Sequence, residues 1–538
     1  MSRRAILIAG AILAVFVYFW GLGDYGFIDP DEGRYAEIPR EMIEASDYVT
    51  PRLNYVLYFE KPPLHYWLTA GAFMVFGENE FAGRFFPVMA GLGCCVLAFV
   101  IAVKITGSRY AAGLSGLMLA SCVLWYGTSR INLTDMTLTF FFTASMVSYY
   151  FWYVNGKSSA ILSFYAFMAL SVLTKGLIGV VLPGGIAFLH LIITKNYRRI
   201  IPLFSPSAII LFFVIVTPYF VEVCRRNPDY FHFFFIREHF LRYTTTIHAR
   251  YEPFWFFVPI IIAGFVPWTG IMWDAIRAVF GKCRLIDRNS GIFLGLWAVI
   301  PFAFFSASGS KLITYILPCF PPLAVLGGAS MSVLEGKELR RFVVITSAIL
   351  IPIAIIGFIL PSIKNDPDYN AMAFPALCLS VMLVVFWGLS LFVGRGKNIP
   401  ALLVIAGLSA MLAASGAFNV EGKLLSHKDS AMMIPSDADD VVVYRNLMQG
   451  MSFYTKRRTI TAEDLNELEF GAEHDPNRGQ WFISDEGLRD LWHSGRKVVV
   501  ISRRKDSGMR EVLDSPVREW STSADVVVTN YTAKARGM

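Results

Sequence analysis

Charge is scarce in this sequence: Asp, Glu, Lys and Arg make up 17% of 538 residues, where a soluble domain carries roughly 25%. That shortage excludes an ordinary water-soluble globule. With 55% hydrophobic residues and a mean hydropathy of +0.51, it places the chain in a bilayer. Cysteine is scarce too. The seven are Cys94, Cys95, Cys122, Cys224, Cys283, Cys319 and Cys378, mostly in apolar stretches and absent from the last part of the chain. None has metal-ligand spacing with a histidine, so neither a disulfide framework nor a zinc site is implied. A small-x-small cleavage site is missing after Arg3, Arg4 and the first apolar run, where bulky Val15-Phe-Val-Tyr-Phe-Trp20 stands instead. The segment therefore reads as an uncleaved first transmembrane helix. Internal and inverted repeats are lacking, which argues against a secondary transporter, the rival class for a polytopic chain. The net charge of +7 comes from short basic clusters between apolar segments. That pattern fits topology signals, not a nucleic-acid face.

What the chain has in abundance is long apolar runs. Spanning takes roughly 17–25 such residues, and about thirteen segments reach or approach that length. They lie near residues 4–21, 82–103, 110–128, 135–153, 159–174, 177–194, 202–221, 254–276, 291–307, 313–334, 342–360, 371–393 and 399–417. With that count, the basic clusters of alternate short loops (Lys104 and Arg109; Lys195, Arg198 and Arg199; Lys337, Arg340 and Arg341) share one side with Arg3 and Arg4. By the positive-inside rule this side is cytoplasmic. The opposite side then holds a long first loop, 22–81, a second, 222–253, and the C-terminal segment 418–538. In the last, β-like runs (Val441–Tyr444, Lys497–Ile501, Ala524–Val528) alternate with helix-like ones (Ala462–Phe470, Asp485–Ser494). The expectation is an α-helical polytopic membrane domain over 1–417, with its chemistry in the outer loops, and a small soluble α/β domain over 418–538.

The first loop carries Asp29-Pro-Asp-Glu-Gly-Arg-Tyr35, followed by Ile38, Met42 and Ile43 at helical spacing. An amphipathic helix on the membrane surface is expected, with Asp29 as a turn or cap residue. Tyr58-Phe-Glu-Lys-Pro-Pro63 follows, where two prolines stiffen a carboxylate–ammonium pair, Glu60 and Lys61. Lys61 is a candidate for binding phosphate or for snorkelling beside Glu60. Asp135 and Lys175 each stand at the edge of an apolar span. An ionisable group there is a functional candidate or a helix-end anchor. Lys311 and Tyr315 are one turn apart and would share a face on a helix. Arg237-Glu-His-Phe-Leu-Arg-Tyr243 lies in the second outer loop. Assigned to one side, these acids and cations suit an anionic lipid-phosphate ligand, with carboxylates left for proton transfer.

Asp31-Glu-Gly-Arg-Tyr-Ala-Glu37, Tyr58-Phe-Glu-Lys-Pro-Pro63, the Asp135 turn, Leu173-Thr-Lys-Gly176 and the Lys311/Tyr315/Pro321-Pro322 segment occur in this order. Together they resemble the bacterial lipid A aminoarabinose transferases, within the wider protein-mannosyltransferase-like superfamily, over about residues 5–420. The resemblance implies a C-type glycosyltransferase fold in the inner membrane. It implies an undecaprenyl-phosphate sugar donor, 4-amino-4-deoxy-L-arabinose in the aminoarabinose members, and a lipid A phosphate as acceptor at the periplasmic face. Lipopolysaccharide core, another glycan or a protein hydroxyl remain alternative acceptors. Asp31 matches the catalytic aspartate and Asp135 a second site acid. Glu60 and Lys61 match the pair beside the donor phosphate, with Arg34 and Tyr58 in the pocket. Lys175, Arg242, Lys311 and Tyr315 join the donor side. No obligate cofactor is implied, but Glu60 and His239 are candidate ligands for a divalent metal ion.

Overall fold

In the computed structural model, described residues are 2–241, 252–364, 377, 380–381, 399–504, 506, 508–514 and 516–532. Each apolar segment expected to span coincides with a helix or a bent helix pair, except 371–393, which lies outside the described residues apart from 377 and 380–381. Five helices are long and apolar enough to cross a membrane among the described residues, or up to seven if two bent pairs count. The five are Glu80–Thr106, Ser158–Lys175, Pro206–Arg226, Arg288–Ala307 and Ile313–Met331. Two expected straight spans are broken. The first bends by 63° between Arg109–Ala120 and Val123–Ser129, and the second by 110° between Phe257–Gly264 and Thr269–Val279. Pro267 lies in the second break, where the absence of an N–H interrupts the helical hydrogen-bond ladder.

The chain divides into two compact units. One comprises Met1–Trp20, Phe86–Arg130 and Thr134–Ala417; the other comprises Gly21–Phe85, Ile131–Leu133 and Phe418–Met538. The first is the helical unit. Glycine permits close backbone approach there: a Cβ added at Gly328 would lie 2.5 Å from the Ser115 amide nitrogen. Such small-residue contacts are a common way for membrane helices to pack.

The second unit joins the first loop to the C-terminal segment. The loop contributes the helix Asp31–Ala45, an antiparallel hairpin of β1 (Arg52–Leu53) and β2 (Val56–Leu57), and the helix Leu64–Phe76. The C-terminal segment forms a six-stranded sheet from β3 (Asp440–Tyr444), β4 (Ile460–Ala462), β5 (Phe482–Ile483), β6 (Val498–Arg503), β7 (Arg518–Ser521) and β8 (Asp525–Thr529). Its order is β5-β4-β3-β6-β8-β7, parallel from β5 to β6 and antiparallel at β8 and β7. Valine-rich β3 and β6 are buried on both faces, as continuous apolar runs in a covered sheet should be. The expected helix over Ala462–Phe470 is replaced by the end of β4, a 3-10 turn at Asn466–Leu468 and a short helix at Glu469–Glu473.

The helix Asp31–Ala45 departs from the surface-helix expectation. Tyr35, Ile38 and Met42 are buried with Leu53, Val56, Tyr58, Tyr66 and Leu468, but Glu37, Arg40 and Glu41 on its polar side are buried too. The polar side can be covered because its charges pair locally: Arg40 donates to both Glu37 carboxylate oxygens at 2.7 and 2.6 Å, and the Tyr55 amide donates to Glu41 at 3.0 Å. Burial pushes the Glu37 and Glu41 carboxyls above their ordinary range.

Candidate active site

The sequence-derived site residues fall into two groups, one in each unit. In the second unit, Asp31 opens its helix after Pro30, which makes no side-chain cap bond. Arg34 follows three residues later and so shares a face with Asp31. Its Nη2 pairs with Asp31 Oδ1, while Nη1 donates to the Tyr58 hydroxyl at 2.9 Å and to Glu467. The Arg34 side chain is 8% exposed and that of Asp31 48%, so the guanidinium is the buried base and the carboxylate is the reachable end. Glu60 and Lys61 are adjacent and both largely buried. Lys61 Nζ lies 3.5 Å from Glu60 Oε2 and donates to the Glu60 carbonyl at 3.1 Å.

Glu467 is the group that sequence reading missed. It accepts from Arg34 and Gln449, and from the Tyr58 hydroxyl at 3.2 Å. Burial, with the nearby Glu60 charge, pushes its carboxyl up against the opposing pull of Arg34. Burial likewise pushes the Tyr58 phenol up. No motif marks Glu467, which lies 433 positions from Arg34 in an otherwise ordinary Asn-Glu-Leu turn.

Two further acids of the loop have partners that the sequence does not reveal. Asp29 lies in the turn ahead of the helix, one of the two expected places, and does not cap it. It is buried, accepts from the Gly450 amide at 3.1 and 3.0 Å, and lies 3.3 Å from His427 Nε2. Glu32, in the first turn of the helix, accepts from the Ile28 amide that precedes it at 2.9 Å. Glu32 is fully buried and meets Arg84 through two bonds of 2.8 and 2.7 Å, with the Asn132 amide on the same carboxylate at 2.7 Å. An acid so thoroughly paired serves the frame of the loop.

In the helical unit, Asp135 and Lys175 form a 2.6 Å ion pair, both sides largely buried, and Lys175 Nζ lies 4.4 Å from the centre of the Tyr315 ring. Three of the residues singled out in the sequence therefore meet. Lys311 precedes the 3-10 helix Ile313–Cys319, which carries Tyr315. Its ammonium donates to the Glu252 and Ser308 carbonyls, each at 2.7 Å, tying two loop segments together. Arg242 lies outside the described residues, and only the backbone of His239 is described, within the π-helix His232–Leu241. Glu60 offers one carboxylate beside an ammonium, and no group of three or more His, Cys, Asp or Glu that could hold a metal ion occurs among the described residues.

The family profile described as dolichyl-phosphate-mannose-protein mannosyltransferase matches residues 12–234, and that of the aminoarabinose transferase C-terminal domain matches 431–530. The undecaprenyl phosphate-α-4-amino-4-deoxy-L-arabinose arabinosyl transferase of Aeromonas hydrophila is 32% identical over 392 residues, 70% of each chain. The chain belongs to this arabinosyl transferase family. A second such transferase, from Proteus mirabilis, is 28% identical across 99% of both chains. The crystal structure of ArnT from Cupriavidus metallidurans bound to undecaprenyl phosphate matches with a TM-score of 0.88 at 27% identity, covering 98% of this chain and 99% of that one. The chain is thus a membrane glycosyltransferase with the C-type fold.

Proposed function

We propose that the chain transfers 4-amino-4-deoxy-L-arabinose from undecaprenyl phosphate to a phosphate of lipid A at the periplasmic face of the inner membrane, masking negative charge against cationic peptides such as polymyxin. The relatives' names and the undecaprenyl phosphate bound by the similar ArnT support the donor. The observation that carries the chemistry is Asp31, a half-exposed carboxylate fixed at one oxygen by a buried arginine. In the reaction a phosphate oxygen of the acceptor bonds to the anomeric carbon as the bond to the donor's phosphate oxygen breaks, and the electron pair leaves with undecaprenyl phosphate. A single displacement inverts configuration. A lipid A phosphate is already anionic, so Asp31 acts by stabilising positive charge on the sugar instead of by taking a proton. A hydroxyl acceptor would need Asp31 as a base. Lys61 stabilises the departing phosphate, with Glu60 holding its ammonium in place. Asp135 is the candidate second site acid, with Lys175, Arg242, Lys311 and Tyr315 as further donor-side candidates.

The deciding experiment is mass spectrometry of lipid A and core from cells with and without the gene. A gene-dependent aminopentose on lipid A is expected, and an unchanged lipid A would sink the acceptor assignment. A reporter fused after Met538 should be active only in the periplasm; cytoplasmic activity would overturn the orientation.

A further inference from the structure

We infer that Glu467, supplied by the C-terminal sheet domain, is a positioning residue for the reaction: it anchors Arg34 so that Asp31 keeps one carboxylate oxygen for the substrate. This rests on the reading of Asp31 as the catalytic carboxylate.

Arg34 has two terminal nitrogens and divides them. Nη1 goes to Glu467 and Tyr58, and Nη2 to Asp31. Asp31 and Arg34 are one helical turn apart, and an arginine with no second anion is free to pair with a carboxylate through both terminal nitrogens. In that state Asp31 would be neutralised at both oxygens. Glu467 opposes that end-on pairing by holding Nη1.

Glu467 is itself held from three sides. Oε2 accepts from Arg34 and Tyr58, and Oε1 from Gln449. Its turn is fixed below by Leu468, buried among Tyr35, Ile38, Met42 and Tyr58. Beyond it, Gly471 lies so near β2 that a Cβ there would be 2.4 Å from the Leu57 carbonyl oxygen. At 15% exposure, Glu467 is far less open to a substrate than Asp31 at 48%. That contrast assigns it support of the reacting group, not contact with the sugar. The C-terminal domain thereby becomes part of the catalytic apparatus.

The test compares full-length wild type, Glu467→Gln, Glu467→Asp, Gln449→Ala and Asp31→Asn in membranes, measuring kcat and KM for the lipid-phosphate sugar beside the melting temperature. Glu467→Gln keeps the shape and removes the charge. Its kcat should fall at least about tenfold with KM within about twofold, because positioning is lost and uniform binding is not. Glu467→Asp, which keeps the charge, should retain more activity than Glu467→Gln. Wild-type kcat in Glu467→Gln, with Asp31→Asn inactive, would overturn the inference while leaving the Asp31 reading intact. So would an Asp variant no better than the Gln variant at unchanged melting temperature. If both Glu467 variants are unstable, Gln449→Ala decides: a kcat loss of about threefold is expected, and wild-type kcat overturns the inference. Full turnover in Asp31→Asn would remove the reading on which the inference stands.

Discussion

Single residues in the first loop have separable roles because burial sorts them. Three acids of Asp29-Pro-Asp-Glu32 stand within four positions, yet Asp29 and Glu32 are buried and paired while Asp31 is half exposed. Asp31→Asn keeps volume and removes charge, so turnover should fall by at least about 100-fold with the protein still folded and inserted. Donor turnover and a melting curve on the same sample check this, and full turnover would exclude Asp31 from the mechanism. Lys61→Ala removes a charge-assisted contact of about 2 kcal/mol, a factor of about 30. It should raise the KM for donor more than it lowers kcat, and an unchanged donor dependence would count against a phosphate role.

At the scale of elements, the helix Asp31–Ala45 and hairpin β1–β2 are seated by close backbone approaches that side chains could not make. Gly33 faces Gly450, where an added Cβ would lie 2.4 Å from the Gly450 nitrogen and closer still to Asp29 Oδ1. Gly471 faces Leu57 of β2. Between them Asn54 exchanges hydrogen bonds with Thr459, its amide donating to the Thr459 carbonyl at 2.8 Å and its oxygen accepting the Thr459 amide at 2.9 Å. Gly471→Ala forces β2 and the Glu473 helix apart and should destabilise by about 1–3 kcal/mol. Activity should drop further than the melting temperature suggests, since Glu467 moves with that helix. A variant with both values at wild type would show that the contact can relax.

At the scale of the whole molecule, a buried His427 links the first loop to the sheet. It lies 2.8 Å from Asp525 on β8 through Nδ1 and 3.3 Å from Asp29 through Nε2, with Ser430 donating to Asp525 at 2.6 Å. Arg503 adds an opposing positive charge. Burial works against a charged imidazole, but the Asp525 hydrogen bond and the Asp29 charge outweigh it and raise its pKa above the ordinary value. A raised folded pKa means the stabilisation is full below the unfolded value of about 6.5 and is lost as pH rises through the folded value. The melting temperature of wild type should therefore fall, relative to His427→Gln, as pH is raised above about 6.5. Parallel pH profiles for the two proteins would refute the linkage.

The sequence alone determined the membrane character and nearly all the helix positions, and it singled out Asp31, because apolar run length and local motif order are one-dimensional signals. Asp31, Arg34, Tyr58, Glu60 and Lys61 are legible in that way: they lie within thirty-one residues of one loop. The pairing of Asp135 with Lys175 was not, since helix ends forty residues apart meet only through packing. The tertiary structure alone decided that the helix Asp31–Ala45 is buried on its polar side, that Asp29 answers to His427 and Gly450, and that Glu467 stands behind Arg34. Each depends on a C-terminal segment some four hundred residues away. A lone glutamate or histidine there has no local pattern, and its meaning comes from the charge that folding sets beside it.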